Sequence, residues 1–268
     1  MKKYEQIALF LQDFLDNEVR KTGINRVVLG LSGGIDSAVV AVLAKKVFDS
    51  DLLCVKMPSH YSSASSLSDA DELCSDFGIN VITASIEPML RVYEELNPDM
   101  NNLRKGNLSA RLRMTTIFDI SARENALVLG TGNKSEILLG YGTLYGDLAC
   151  AINPIGDLYK SEIYELAKYL GVTKSIIDKA PSADLWDGQS DEVELGYPYA
   201  KLDEVMKLFM DDKVSRDEII EKGFDKEMLD IIITINYRNQ FKKRMQLIAK
   251  IPSMTINHDF NYLRDITL

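Results

Sequence analysis

Arg26-Val27-Val28-Leu29-Gly30-Leu31-Ser32-Gly33-Gly34-Ile35-Asp36-Ser37 decides how this chain folds. The β-branched run at 26–31 suits a buried strand. Ser32-Gly33-Gly34 predicts a tight turn. Asp36 and Ser37 read as caps of a following helix over 38–48, which is apolar nearly all round. A strand running through glycines into a helix puts backbone amides, hydroxyls and a helix N-terminus at one point. That point suits a phosphate or pyrophosphate. It is not a Walker A loop, because no Lys stands at the helix start, and it is not G-x-G-x-x-G. An acidic Asp36 beside a phosphate needs a cation between them, which implies Mg²⁺. Read alone, the segment is also compatible with a plain glycine-rich turn capped by Asp and Ser.

Outward from the loop, helix and strand patterns alternate. Helical spacing precedes it at 4–19, with Ile7, Phe10, Leu11, Phe14, Leu15 and Val19 on one side. Strands follow at 52–57, 80–83 and 126–130, and helices at 65–77, 88–96 and 108–123. This order predicts an α/β fold, a doubly wound parallel sheet flanked by helices. Past residue 155 the strand pattern fades. A helix is predicted at 161–170, a long lid-like loop at 181–199, and helices at 200–211, 215–222 and 226–248.

Composition narrows the function. Apolar residues make up 46% and charged residues 26% of the 268, near the globular average. Lys and Arg number 31 against 40 Asp and Glu, a net charge of −9. That balance argues against a nucleic-acid groove. No apolar run is long enough for a membrane helix, and Glu5 and Gln6 break any secretion-signal core. Cys54, Cys74 and Cys150 form no C-x-x-C pair, which fits a reduced, cytoplasmic setting. Cys54 and Cys150 are expected in the core. The aromatics Phe10, Phe14, Tyr141 and Tyr145 read as core rather than nucleobase platforms. His60 and His258 are too few for a zinc site or a His-based triad.

The S-G-G-x-D-S pattern resembles the loop of N-type ATP pyrophosphatases, and further stretches resemble the NAD synthetases within that superfamily. They are Gly106-Asn107-Leu108-Ser109-Ala110-Arg111-Leu112-Arg113-Met114, Gly130-Thr131-Gly132-Asn133-Lys134-Ser135-Glu136 and Tyr145-Gly146-Asp147. Pro154-Ile155-Gly156-Asp157-Leu158-Tyr159-Lys160 follows, and then Pro181-Ser182-Ala183-Asp184-Leu185 with Gln189-Ser190-Asp191-Glu192. The likeness runs from about residue 4 to residue 253. It departs at Leu144, Ala151 and Lys242, where many members carry Lys, Asp and His.

The resemblance implies an adenine nucleotide alpha hydrolase-like fold with a helical C-terminal part, one domain over 1–268 with no glutamine amidase domain. It implies amidation of nicotinic acid adenine dinucleotide by free ammonia, through an acyl-adenylate. ATP would contact Gly30, Leu31, Ser32, Gly33, Gly34, Ile35, Asp36, Ser37, Thr131, Lys160 and Ser182. Asp36 and Glu136 would hold Mg²⁺, and Lys160 would neutralise the departing pyrophosphate. Arg111, Asp147, Lys242 and Lys243 would meet the dinucleotide. A homodimer sharing the dinucleotide site is also implied. Two other readings stay open: a tRNA-thiolating or GMP-forming pyrophosphatase, and a non-catalytic ATP sensor on the same fold.

Overall fold

A computed structural model describes residues 2–182, 186, 189, 191–243 and 251. In chain order the elements are α1 (Lys2–Arg20), β1 (Arg26–Gly30), α2 (Ile35–Phe48), β2 (Leu52–Lys56), α3 (Ala64–Phe77), β3 (Asn80–Thr83), α4 (Glu87–Leu96), α5 (Asn102–Glu124) and β4 (Ala126–Leu129). They continue with α6 (Lys134–Leu139), α7 (Lys160–Leu170), α8 (Lys174–Ile177), α9 (Asp191–Leu195), α10 (Tyr199–Met206), α11 (Arg216–Glu221) and α12 (Lys226–Arg238).

The four strands form one parallel sheet in the order β3-β2-β1-β4. The chain winds outward from β1 to β3, then returns to the other side of β1 for β4. The strand order therefore reverses at β1, where Leu29 pairs with Leu129. Open α/β sheets bind ligands in the crevice beyond such a reversal, because the loops leaving the two strands diverge. Val27, Val28 and Leu29 are fully buried because helices cover both faces. On one face α1, α2, α3 and α7 pack Leu15, Val19, Val40, Leu43, Leu73 and Ile163 over the sheet. On the other, Ile117 and Ile120 of α5 pack on Val28, Val55 and Val128. Each such apolar side chain contributes roughly 1.5–3 kcal/mol on burial. A second core, built from Leu202, Val205, Met206, Leu229 and Ile232, holds the C-terminal helices together beside the crevice.

Several expectations are corrected. α2 starts at Ile35, three residues early, and Asp36 and Ser37 do not cap it. Gly34 is the N-cap, without a side-chain cap, because both side chains are used elsewhere in the loop and the site. α5 starts at Asn102, since Asn101 accepts the Arg104 N–H and caps it there. The 181–199 stretch is not all loop: α9 occupies 191–195 and α10 opens at Tyr199. The Glu192 carboxylate accepts the Tyr199 N–H at 2.9 Å and ties those two helices together. α12 gives way to a 3₁₀ turn at Gln240–Lys243. The rest of the expected 226–248 helix lies outside the described residues, as do residues 183–185 and 190 of the lid motifs.

Phe10 and Tyr145 are not core; they are 69% and 58% exposed. Cys150 is half-buried, with its thiol against Gly130 at the sheet's edge. There the chain adds a single parallel bridge, Leu129 to Ile152, beyond β4.

Candidate active site

The β1–α2 loop is held by its own serines. The Ser37 hydroxyl donates to the Gly34 carbonyl at 2.9 Å and accepts the Ser32 N–H at 3.3 Å. Ser32 Oγ accepts the Gly34 N–H at 3.1 Å. Ser37 is therefore a staple of the loop, with its proton already committed. Gly33 has φ +80°, and a Cβ there would lie 2.0 Å from the Ser66 carbonyl oxygen. Only glycine permits that backbone conformation beside the first turn of α3. With no side-chain cap on Gly34, the first amides of α2 face the crevice open, as an anion site requires.

Asp36 projects from the first turn of α2 into the crevice. Its Oδ1 accepts from Asn133 Nδ2 at 3.0 Å, and its Oδ2 pairs with Lys160 Nζ at 2.5 Å. Asn133 is fully buried in the turn after β4 and caps α6. Glu136 completes that capping box through Oε2, leaving Oε1 turned to Lys160 Nζ at 3.7 Å. Lys160 opens α7 and is 3% exposed. Three residues separated by up to 124 positions thus meet between β1 and β4.

The charges explain one another. Burial and the adjacent Asp36 charge push the Glu136 carboxyl up to about 8, with Lys160 pulling it down. Burial alone would lower the Lys160 ammonium, but Asp36 and Glu136 outweigh it and hold the pKa above the ordinary value. Only when Glu136 also ionises do two acids face one cation with a net negative charge, and a further cation in the pocket would favour that ionised form.

These groups line a cavity of about 570 Å³, together with Gly30, Leu31, Ser32, Gly34, Thr131, Asp147, Ser182 and Lys242, a volume within the range of small-molecule sites. Asp147 accepts the Thr143 N–H at 2.9 Å. Lys242 Nζ donates to the Gly140 and Gly142 carbonyls at 3.0 and 2.9 Å, steadying the loop that carries Asp147. Lys243 lines a smaller neighbouring cavity of about 150 Å³. Gly33 and Ile35 hold the loop's shape; both are buried.

Arg111 does not line the large cavity; it is exposed, and its Nε donates to the Leu144 carbonyl at 3.3 Å. Arg113 lines it instead, fixed by its Nε–H to the Met57 carbonyl at 3.1 Å. The resemblance assigned the dinucleotide to Arg111, with Arg113 standing beside it in the same motif. Gly106, Ala110, Arg113 and Ile117 recur at three and four residues and form the face of α5 that lines the cavity. Asn133 was quoted only as part of a motif, and its bridge from the α6 cap to Asp36 had no sequence signal.

An uncapped helix N-terminus, a glycine cradle and a carboxylate–lysine cluster at a sheet's switch point define a nucleotide-binding α/β protein of the adenine nucleotide alpha hydrolase fold. Within that class, residues 7–246 match the NAD synthase family model, and the chain belongs to that family. The NH(3)-dependent NAD(+) synthetase of Chlorobium phaeobacteroides is 48% identical over 263 residues, 98% of this chain and 95% of that protein. Among solved structures, the NH3-dependent NAD synthetase from Campylobacter jejuni in complex with the nitrate ion superposes with a TM-score of 0.79. It is 38% identical and covers 92% of this chain and 99% of its own. The NMN synthetase from Francisella tularensis gives a TM-score of 0.81 at 33% identity, with the same coverage.

Proposed function

We propose that this protein is a ligase that amidates nicotinic acid adenine dinucleotide to NAD with free ammonia, converting ATP to AMP and pyrophosphate. The observation that carries the reading is the meeting of Asp36, Glu136 and Lys160 over an open phosphate cradle. A non-catalytic sensor needs the cradle but has no use for that buried cluster. A tRNA-modifying role is disfavoured by the net charge of −9.

In the proposed reaction the nicotinate carboxylate attacks the α-phosphorus of ATP, and pyrophosphate leaves from it. Ammonia then attacks the acyl carbon, AMP departs, and the amide remains after loss of a proton. The Gly33–Gly34 backbone and the first amides of α2 bind the phosphates. Lys160, held protonated, offsets charge gathering on the departing pyrophosphate. Ser182 and Thr131 supply hydroxyls at the cavity wall.

The donor set fits Mg²⁺. It consists of oxygen atoms of two carboxylates, Asp36 and Glu136, facing a phosphate site, which is how that ion is usually held. Among the described residues no group of three or more metal-binding side chains gathers, so phosphate oxygens and water would complete its shell. Bound there, the ion would supply positive charge to the phosphate oxygens.

Asp147 and Lys242 inside the cavity, and Arg111 with Lys243 beside it, are proposed for the dinucleotide. Arg113 adds a second guanidinium for its anionic groups. Free thiols at all three cysteines and no described helix able to cross a membrane agree with a cytoplasmic enzyme.

Two tests follow. With ATP, Mg²⁺ and ammonium, the nicotinic acid dinucleotide is expected to be amidated, and glutamine is not expected to replace ammonium. Faster turnover of the mononucleotide would move the substrate toward that of the Francisella neighbour. Efficient use of glutamine by the chain alone would refute the single-domain, free-ammonia reading.

A homodimer is also proposed. Leu9 and Phe10 of α1 are 57% and 69% exposed, and Leu103 and Phe118 of α5 are 65% and 38% exposed. Each of these two helices thus leaves large apolar side chains in water, which favours association. Sedimentation at micromolar concentration is expected to give twice the chain mass of 30.1 kDa. A single species at the chain mass, unchanged by substrates, would refute it.

A further inference from the structure

The buried carboxylate of Asp203 stands outside every motif and outside the cavity lining, yet it joins three helices at the site. It is 1% exposed. Its Oδ1 accepts from the Ser135 hydroxyl at 2.6 Å, and its Oδ2 accepts the Ser161 N–H at 2.8 Å. Ser135 Oγ in turn accepts the Lys160 N–H at 2.9 Å. Ser135 precedes Glu136 on α6, and Ser161 follows Lys160 on α7. One carboxylate therefore fixes the first turn of α6 against the first two amides of α7. These are the turns that carry Glu136 and Lys160.

α10 itself is anchored. Leu202, Val205 and Met206 are at most 1% exposed in the C-terminal core. One turn before Asp203, Tyr199 lies with its ring 5.6 Å from Lys160 Nζ. Residues four apart share a helix face, so α10 meets the site at two successive turns. An acid at the N-terminus of α7 also satisfies amides that the helix leaves without partners.

We propose that Asp203 is a positioning residue for the ligase reaction. It acts through Ser135 and the α7 amides to hold Glu136 and Lys160 in register across the phosphate site. The inference rests on the functional reading above. A group that only supported the fold would lower thermal stability and leave the turnover of folded enzyme unchanged. A positioning group shifts kcat, because Lys160 and Glu136 act on charge that develops during reaction, while binding of the dinucleotide is left alone.

The test compares the full-length parent with Asp203→Asn, Ser135→Ala and the double variant, in steady-state kinetics with ATP, Mg²⁺, ammonium and nicotinic acid adenine dinucleotide. Asparagine keeps the volume but turns an amide donor toward one of two donors. Its kcat is expected to fall about 10–100-fold, as for partners of other catalytic ligands, with KM for the dinucleotide within about threefold. Ser135→Ala, which removes one hydroxyl, is expected to lower kcat about tenfold. The double variant is expected to lose no more than the worse single, since both break one chain of bonds. If Asp203→Asn does not fold, Ser135→Ala decides alone.

Unchanged kcat in a folded variant overturns the proposal, as does additive loss in the double variant. An inactive parent overturns the functional reading, and the positioning role with it. An active parent with unaffected variants overturns the positioning role alone.

Discussion

Asp36→Ala is expected to reduce ATP-dependent turnover about 1,000-fold or more while the fold persists. Electrostatic groups aimed at developing charge are commonly worth 100- to 1,000-fold each, and Asp36 serves two of them. It is one of two carboxylates proposed for the cation, and it holds Lys160 Nζ and Asn133 Nδ2 in place. The fold persists for an electrostatic reason. Burial is the first cause of the raised Glu136 pKa and the Asp36 charge adds to it. Without Asp36 that repulsion is gone, and Glu136, already 3.7 Å from Lys160 Nζ, remains as an acid facing the lysine. Glu136→Ala is expected to lose turnover similarly, with Asp36 keeping the lysine paired. Circular dichroism should show parent-like spectra for both. Near-normal turnover in either variant would remove that residue from the proposed metal pair.

Gly33→Ala is the smallest substitution with a comparable expected effect. A methyl group at φ +80° is strained, and it would lie 2.0 Å from the Ser66 carbonyl oxygen. That neighbour is backbone at the start of α3, so relief requires the loop itself to shift. A displacement of about 1 Å in a positioning element can cost about 100-fold in rate. ATP turnover is expected to fall by at least about that factor, with ATP binding weakened in parallel because the cradle is deformed. Calorimetric titration of ATP with Mg²⁺ checks the second part. Parent-like affinity and turnover would show that this glycine is not required for the cradle.

The parts of the site that were legible from residues alone are those built from contiguous chain. A strand of Val27-Val28-Leu29 followed by Ser32-Gly33-Gly34 specifies strand, turn and helix within a dozen positions, so the cradle could be read directly. The alternation that gives a parallel sheet was legible for the same reason. What escaped depends on contacts distant in sequence. α6 spans only Lys134–Leu139, too short for its periodicity to register. The start of α5 turned on Asn101, one cap residue seven positions before the apolar pattern. Arg111 and Arg113 stand two apart, and only the packing of α5 decides which one lines the cavity. Asp203 looked like one acid among many on a C-terminal helix. Its weight comes from Ser135 and Ser161, 68 and 42 residues away.

The most direct measurement of the central claim is a phosphorus NMR time course with ATP, Mg²⁺, ammonium and nicotinic acid adenine dinucleotide, paired with quantification of the amide. The account predicts AMP and pyrophosphate in equal amounts, each matched by one NAD formed. ADP and inorganic phosphate as the nucleotide products, or ATP cleavage with no amide, would contradict it.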